Sequence, residues 1–279
     1  MDQILIKQMK KISRKEEAIL NAKENPLLKN KILPFVDKIQ EKIPDQLNST
    51  LETAFYKGFR LFFEKGNKYI EKTYSKDSKQ FEFEINDYAI GKKLNNKSIK
   101  MLDKPSNYSN VINTSFSVLE GSVLGVLGIG LPDIPLFISL IIKTINEVAL
   151  SYGFDYNATN EKAYILLLIR GALLKADQQK EVNKEIDSFA DKIDQQLTCD
   201  PDLEEHMKLT SKVLSDTLLT AKFIQGIPLV GAVGGIVNYN VIQKIGRYSK
   251  LKYKKRYFLK KLNKKESGLP DSGADALSL

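Results

Sequence analysis

Apolar residues return at intervals of three and four along nearly the whole chain, and this spacing commits it to helices. Leu5, Met9, Ile12, Glu16 and Ile19 form one such stripe within residues 2–24, with Glu16 as a polar defect in it. Leu47, Leu51, Phe55, Phe59, Phe62 and Phe63 form another between Asp45 and Tyr74. Gly58 and Gly66 weaken that second helix by about 1 kcal/mol each relative to alanine. Period two occurs once, in the QFEFEI run of Gln80–Ile85. A lone strand has nothing to pair with, so a helix or an extended loop is expected there. The expected fold class is all-α: a multi-helix bundle of about nine or ten helices packed helix on helix.

Breakers divide the chain further. Asn25-Pro26 ends the first helix, a short helix is expected around Pro34–Lys42, and Pro44 interrupts again. The polar stretch 75–107 reads as a boundary or an insertion. Ile134–Tyr152 is an apolar helix that Gly153 terminates. Thr159 can cap a helix to about Lys175, with Glu161 in its first turn, where the helix dipole favours an acid. Charged amphipathic helices follow at 178–197 and 202–222. This organisation predicts an N-terminal helical region over 1–105, a helical core over 106–265, and a disordered tail over 266–279.

Two apolar segments rich in glycine shape the centre of the expected bundle. The first runs from Glu120 through Gly121, Gly125 and Gly130 to Asp133-Ile-Pro135; the second is Gly226–Asn240. Gly121/Gly125 and Gly231/Gly235 each place two glycines on one helix face, where another helix can approach backbone to backbone. A Gly-rich apolar helical hairpin at the centre of the bundle is therefore expected over 117–152. It is long enough to serve as buried core, as an interfacial or re-entrant element, or as a span. Asp133, between Pro132 and Pro135, suits a helix N-cap, or a ligand-binding carboxylate beneath the hairpin.

The charge is distributed unevenly. The 279 residues carry a net +9, but 244–265 hold eleven Lys/Arg and no acid, while 1–243 come to +1. Tyr248, Leu251, Tyr253, Tyr257, Phe258 and Leu262 interleave with these bases. A basic helix with aromatic residues suits a headgroup interface, where rings sit at the boundary and Lys and Arg stems snorkel. Arg247, Lys250, Lys252, Lys254, Lys255, Arg256, Lys260 and Lys261 are the expected lipid-binding residues. Nucleic acid, an acidic protein surface, or a solvated tail are the competing readings of such a block. No recognisable nucleic-acid module accompanies it, so an anionic membrane surface is preferred over nucleic acid.

The run LPDIPLFISLIIKTINEVALSYGFD, the later GIPLVGAVGGIVNYNVI and the basic helix after it resemble the EcsC protein family. The matching positions are the Asp after the Gly-rich stretch, Ile145, Glu147, Ala149, Tyr152, Gly153 and Asp155, and the Ile227-Pro228, Gly231, Asn238-Tyr239 pattern. They lie within roughly 106–262. The resemblance implies a bacterial intracellular or membrane-associated protein, and an association with an ABC transporter, whose gene accompanies the one that names the family. It supplies no catalytic residues.

One cysteine excludes an internal disulfide, and one histidine excludes any site built on two imidazoles of this chain. Cys199 and His206 are separated by Pro201, which argues against a catalytic pair. No P-loop, zinc set or GxSxG elbow is present. Neither cofactor nor metal is expected, and catalytic residues are expected to be none. Met1-Asp2-Gln3 does not read as a secretory signal, so a cytoplasmic protein associated peripherally with the inner face of the membrane is expected. The alternative is a hydrolase-like enzyme acting on a lipid or envelope precursor through Asp133, Glu147 and Asp155.

Overall fold

In the computed structural model, which describes residues 2–22, 43–65, 74–104, 134–224 and 234–266, the helical spacing becomes nine helices. They are α1 (Asp2–Leu20), α2 (Asp45–Lys65), α3 (Lys76–Lys92), α4 (Asn96–Asp103), α5 (Ile134–Ser151), α6 (Thr159–Leu173), α7 (Ala176–Asp194), α8 (Leu203–Ile224) and α9 (Gly234–Glu266). No strand occurs among the described residues. The fold is all-α.

α5 and α6 are apolar almost all round, and both are buried on nearly every side, as a helix without a polar face must be. α5 is long and apolar enough to cross a bilayer, yet most of it lies inside the fold, as in the core helix of a bundle. α9 runs through the centre and packs against α1, α5, α6, α7 and α8. α2 lies against α5 and α8, while α3 lies on α5 and carries α4. One continuous core joins Leu5 and Ile12 of α1, Phe55 and Phe59 of α2, and Tyr253 and Phe258 of α9. At Gly58 the helix-weakening residue has a packing reason: a Cβ there would meet Ile138 of α5 at 2.4 Å.

The QFEFEI run and the polar stretch around it are helical. Ser75 caps α3 by accepting from the Ser78 amide. Asn95 caps α4 in a reciprocal box with Ser98. The acid-rich turn before α8 works the same way, with Asp202 accepting from the Glu205 amide at 2.9 Å. Thr159 is the first residue of α6, and the N-cap position is Ala158, without a side-chain cap. The first arm of the expected hairpin, with Gly121, Gly125 and Asp133, lies outside the described residues, as do Gly231 and the helix expected at Pro34–Lys42. Gly235 is the second residue of α9.

Candidate functional site

The basic helix sits inside the protein. Lys252 is 1 % exposed and Arg256 3 % exposed, and each has carboxylates from other helices waiting for it. Lys252 and Lys255 both reach Glu16 of α1 and Asp187 of α7, forming a four-membered lattice. Arg256 donates to Glu161 of α6 at 2.8 Å and forks onto both oxygens of Asp194 of α7. Its guanidinium lies over the rings of Phe154 and Tyr164, at 4.2 and 4.4 Å from their centroids. Tyr253 donates to the same Glu161 oxygen that Arg256 uses. Lys254 pairs with Asp103 of α4, whose backbone carbonyl takes Lys250. Lys261 and Tyr257 share Asp87 of α3.

Seen from α9, these cations are spokes fastening α1, α3, α4, α6 and α7 to one axis. The expectation of a solvent-facing basic helix is corrected at Lys252 and Arg256, which are buried, and at Lys254, Lys255 and Lys261, which are held by internal acids. Arg247 and Lys260 are exposed, Lys260 over the Phe154 ring at 5.1 Å, and Lys250 is half-buried. The defect in the α1 stripe is also explained. Glu16 faces inward because Lys252 and Lys255 are there. Burial pushes its carboxyl up, but the two lysines outweigh burial and hold it below the usual value. Burial likewise opposes the charge of Arg256, and Glu161 and Asp194 more than restore it.

The signature residues at the end of α5 have a related task. Gly153 adopts φ +76, and a Cβ there would strike the Phe83 ring of α3 at 2.3 Å. Only glycine combines that backbone with that approach. Glu147 is buried and pairs with Lys79 of α3 at 3.4 Å. Burial raises its pKa, with Lys79 and Lys143 pulling the other way. Asp155 is exposed, accepts from Asn157 in the turn, and meets Lys76 of α3 at 3.4 Å. Tyr152 donates to Asp103 of α4 at 2.8 Å. Two of the three candidate carboxylates thus fasten α3, and the third, Asp133, lies outside the described residues. His206 meets Arg170 at 3.2 Å and lies tilted against the Phe189 ring, and burial followed by the Arg170 charge lowers its pKa.

Further exposed positive charge lies on α1, α3 and α4. α1 presents Lys7, Lys10, Lys11, Arg14 and Lys15 outward while Leu5, Gln8, Ile12 and Glu16 face the bundle. Among the described residues no acid pairs with any of these five. α3 and α4 present Lys92, Lys93, Lys97, Lys100 and, just after α4, Lys104, also without an acid partner among the described residues. Lys15 is close enough to Lys250 to help lower that amine's pKa, after burial and Lys254. These outward cations did not stand out in the sequence because acids of the same helices hide them in any average of charge.

A scan against family models matches the EcsC protein family over residues 6–258. The match takes in α1 through α4, beyond the 106–262 stretch that carries the resemblance. Protein EcsC of Bacillus subtilis (strain 168) is 24 % identical over 211 residues, covering 75 % of this chain and 78 % of that protein. The uncharacterized protein YdbA of the same organism is 25 % identical over 158 residues, or 55 % of this chain, which spans only 57 % of YdbA's length. No solved structure matches the chain. With its matched region running from α1 into the buried basic helix, the chain belongs to the EcsC protein family.

Proposed function

We propose that this chain is a non-enzymatic helical protein that associates peripherally with membranes by binding anionic phospholipid. The observation that carries this reading is the outward face of α1. Lys7, Lys10, Lys11 and Arg14 share an arc of that helix, Lys15 borders it, and no acid stands between Gln3 and Lys15. Among the described residues these charges have no acid partner, whereas Lys252, Lys254, Lys255, Arg256 and Lys261 of α9 are each paired. Each cation near an anionic leaflet contributes about 1 kcal/mol, so five of them suffice for reversible binding that salt weakens. The docking charge in this reading belongs to α1, with α9 as the internal scaffold. A transporter partner, which the family resemblance implies, would be met on the same membrane.

The test is co-sedimentation of the full chain with vesicles of pure phosphatidylcholine and of phosphatidylcholine mixed with phosphatidylglycerol. Binding to the anionic vesicles alone, weakened by salt and reduced roughly fivefold for each of Lys7→Gln, Lys10→Gln and Arg14→Gln, is expected. Equal binding to both vesicle types, or no binding, overturns the reading. Tighter binding to a duplex nucleic acid than to the anionic vesicles at the same salt replaces it with the nucleic-acid alternative.

A further inference from the structure

The alternating run QFEFEI divides when it coils into α3. Phe83 turns inward, against Gly153 and edge-on to Tyr257. Phe81, Ile85 and Tyr88 turn outward, 64, 50 and 37 % exposed. Their spacing of four and three makes one stripe along the helix. Met101, exposed at 42 %, lies on α4, which packs on α3. Single exposed apolar residues are ordinary on a protein surface, but a contiguous stripe is not.

The setting of the stripe identifies its occupant. From Tyr88 to Leu102 the chain contains Lys92, Lys93, Lys97 and Lys100 and no acid, and Lys104 follows Asp103. Asp103 itself is taken by Tyr152 and Lys254. Lys92 lies over the Tyr88 ring at 5.3 Å. Glu82 and Glu84 flank only the N-terminal half of the stripe. A second copy of the chain would set these lysines against the same lysines, since a two-fold contact presents one patch to itself. Anionic headgroups above an acyl layer complement both the lysines and the apolar stripe. α3 is tied to the bundle through Asp87–Lys261 and the Phe83–Gly153 contact, with Lys76–Asp155 and Lys79–Glu147 beside them.

We infer that α3 and α4 form an interfacial insertion element, with Phe81, Ile85, Tyr88 and Met101 entering the headgroup–acyl boundary of an anionic bilayer while Lys92, Lys93, Lys97, Lys100 and Lys104 meet lipid phosphates. The inference rests on the membrane reading above and adds a second step to it: α1 supplies long-range attraction, and α3–α4 supply depth.

The chain contains no tryptophan, so Phe81→Trp gives a single reporter in the full-length protein, and Leu197→Trp, at an exposed position after α7, gives a control. With phosphatidylcholine–phosphatidylglycerol vesicles, the indole at position 81 is expected to shift to the blue and to be quenched by brominated acyl chains. The indole at 197 should do neither. Phe81→Glu with Ile85→Glu should keep the wild-type melt and lose binding at least tenfold. If the protein pellets with anionic vesicles while the indole at 81 stays water-like and unquenched, insertion is overturned and the membrane reading stands. If it does not pellet, both fall. A blue shift that needs no vesicles and grows with protein concentration means that a second copy covers the stripe, and it overturns the inference.

Discussion

Two groups of lysine and arginine in this molecule have the same chemistry and opposite fates. Those in the middle of α9 are densest in the sequence, and the structure draws them into pairs with Glu16, Asp87, Asp103, Glu161, Asp187 and Asp194. Lys7, Lys10, Lys11, Arg14 and Lys15 of α1, and Lys92, Lys93, Lys97, Lys100 and Lys104 at the end of α3 and along α4, are sparser in the sequence and face outward, with no acid partner among the described residues. Charge density along a chain therefore does not report charge at the surface. A basic run can be the hub of a bundle when its acids arrive from helices far away in sequence; Glu16 lies 236 residues from Lys252.

The contrast breaks most visibly at Arg256. Replacing one member of a buried ion pair leaves the other charge without compensation, at about 3–5 kcal/mol. Arg256→Ala strands Glu161 and empties the space between the Phe154 and Tyr164 rings, so a loss near the upper end is expected, read from chemical denaturation. Arg256→Lys keeps the charge but loses the fork onto Asp194 and the flat stacking, and about half that loss is expected. If Arg256→Ala melts like the wild type, α9 is not the hub.

A smaller effect, about 2–3 kcal/mol, is expected for Glu16→Gln, because Asp187 stays behind to serve Lys252 and Lys255. The pH dependence follows from the lowered pKa of Glu16. A carboxyl depressed by folding stabilises the fold above its unfolded pKa, about 4.3, and that contribution is lost as pH falls through the folded value. The wild type should therefore lose more stability than Glu16→Gln on acidification below about pH 4.3. Protease protection of α1 should fall with it, since α1 packs on α9 and α7 through this lattice. Equal acid sensitivity of the two proteins would show that the lattice does not hold α1.

Much of the fold was legible, for reasons that particular residues make plain. The stripe Leu5, Met9, Ile12 placed the buried face of α1, and Gly153 marked the end of α5, because helical spacing and a left-handed stop are local properties. The fate of the basic block was not legible. It depends on Asp187 and Asp194, which share the surface of α7 with many unremarkable charges and acquire meaning only when α7 packs against α9. Glu16 was the one available clue, since an acid on an apolar stripe needs a cation opposite it. The outward stripe of α3 was hidden for another reason. Phe81, Phe83 and Ile85 look equivalent as an alternation, and only the helical turn separates the inward Phe83 from the other two.

Glu147 offers a milder test, and its sign is the reverse of that at Glu16. Burial raises its pKa more than Lys79 and Lys143 lower it, so the ionised form is disfavoured in the folded state. Stability from this group is then lost as pH rises through the unfolded pKa toward the folded one. Glu147→Gln should leave the protein at least as stable as the wild type at neutral pH, and any gain should vanish near pH 4. A clear loss of stability at neutral pH would mean that the Lys79 pair, not burial, governs the site.

The smallest effect on stability belongs to the exposed cations, and it separates them from the paired cations of α9. Lys7 and Lys11, Lys10 and Arg14, and Lys11 and Lys15 are like charges one helical turn apart. Such pairs destabilise a helix by about 0.2–0.5 kcal/mol each. Lys11→Gln removes two of them, so its melt should be equal to the wild type or slightly higher, while its binding to anionic vesicles falls. A cation whose removal stabilises the fold is not there for the fold, in contrast to Lys252 and Arg256. Should Lys11→Gln instead lower the melting temperature and leave vesicle binding intact, α1's outward face is structural and the distinction between the two groups of cations disappears.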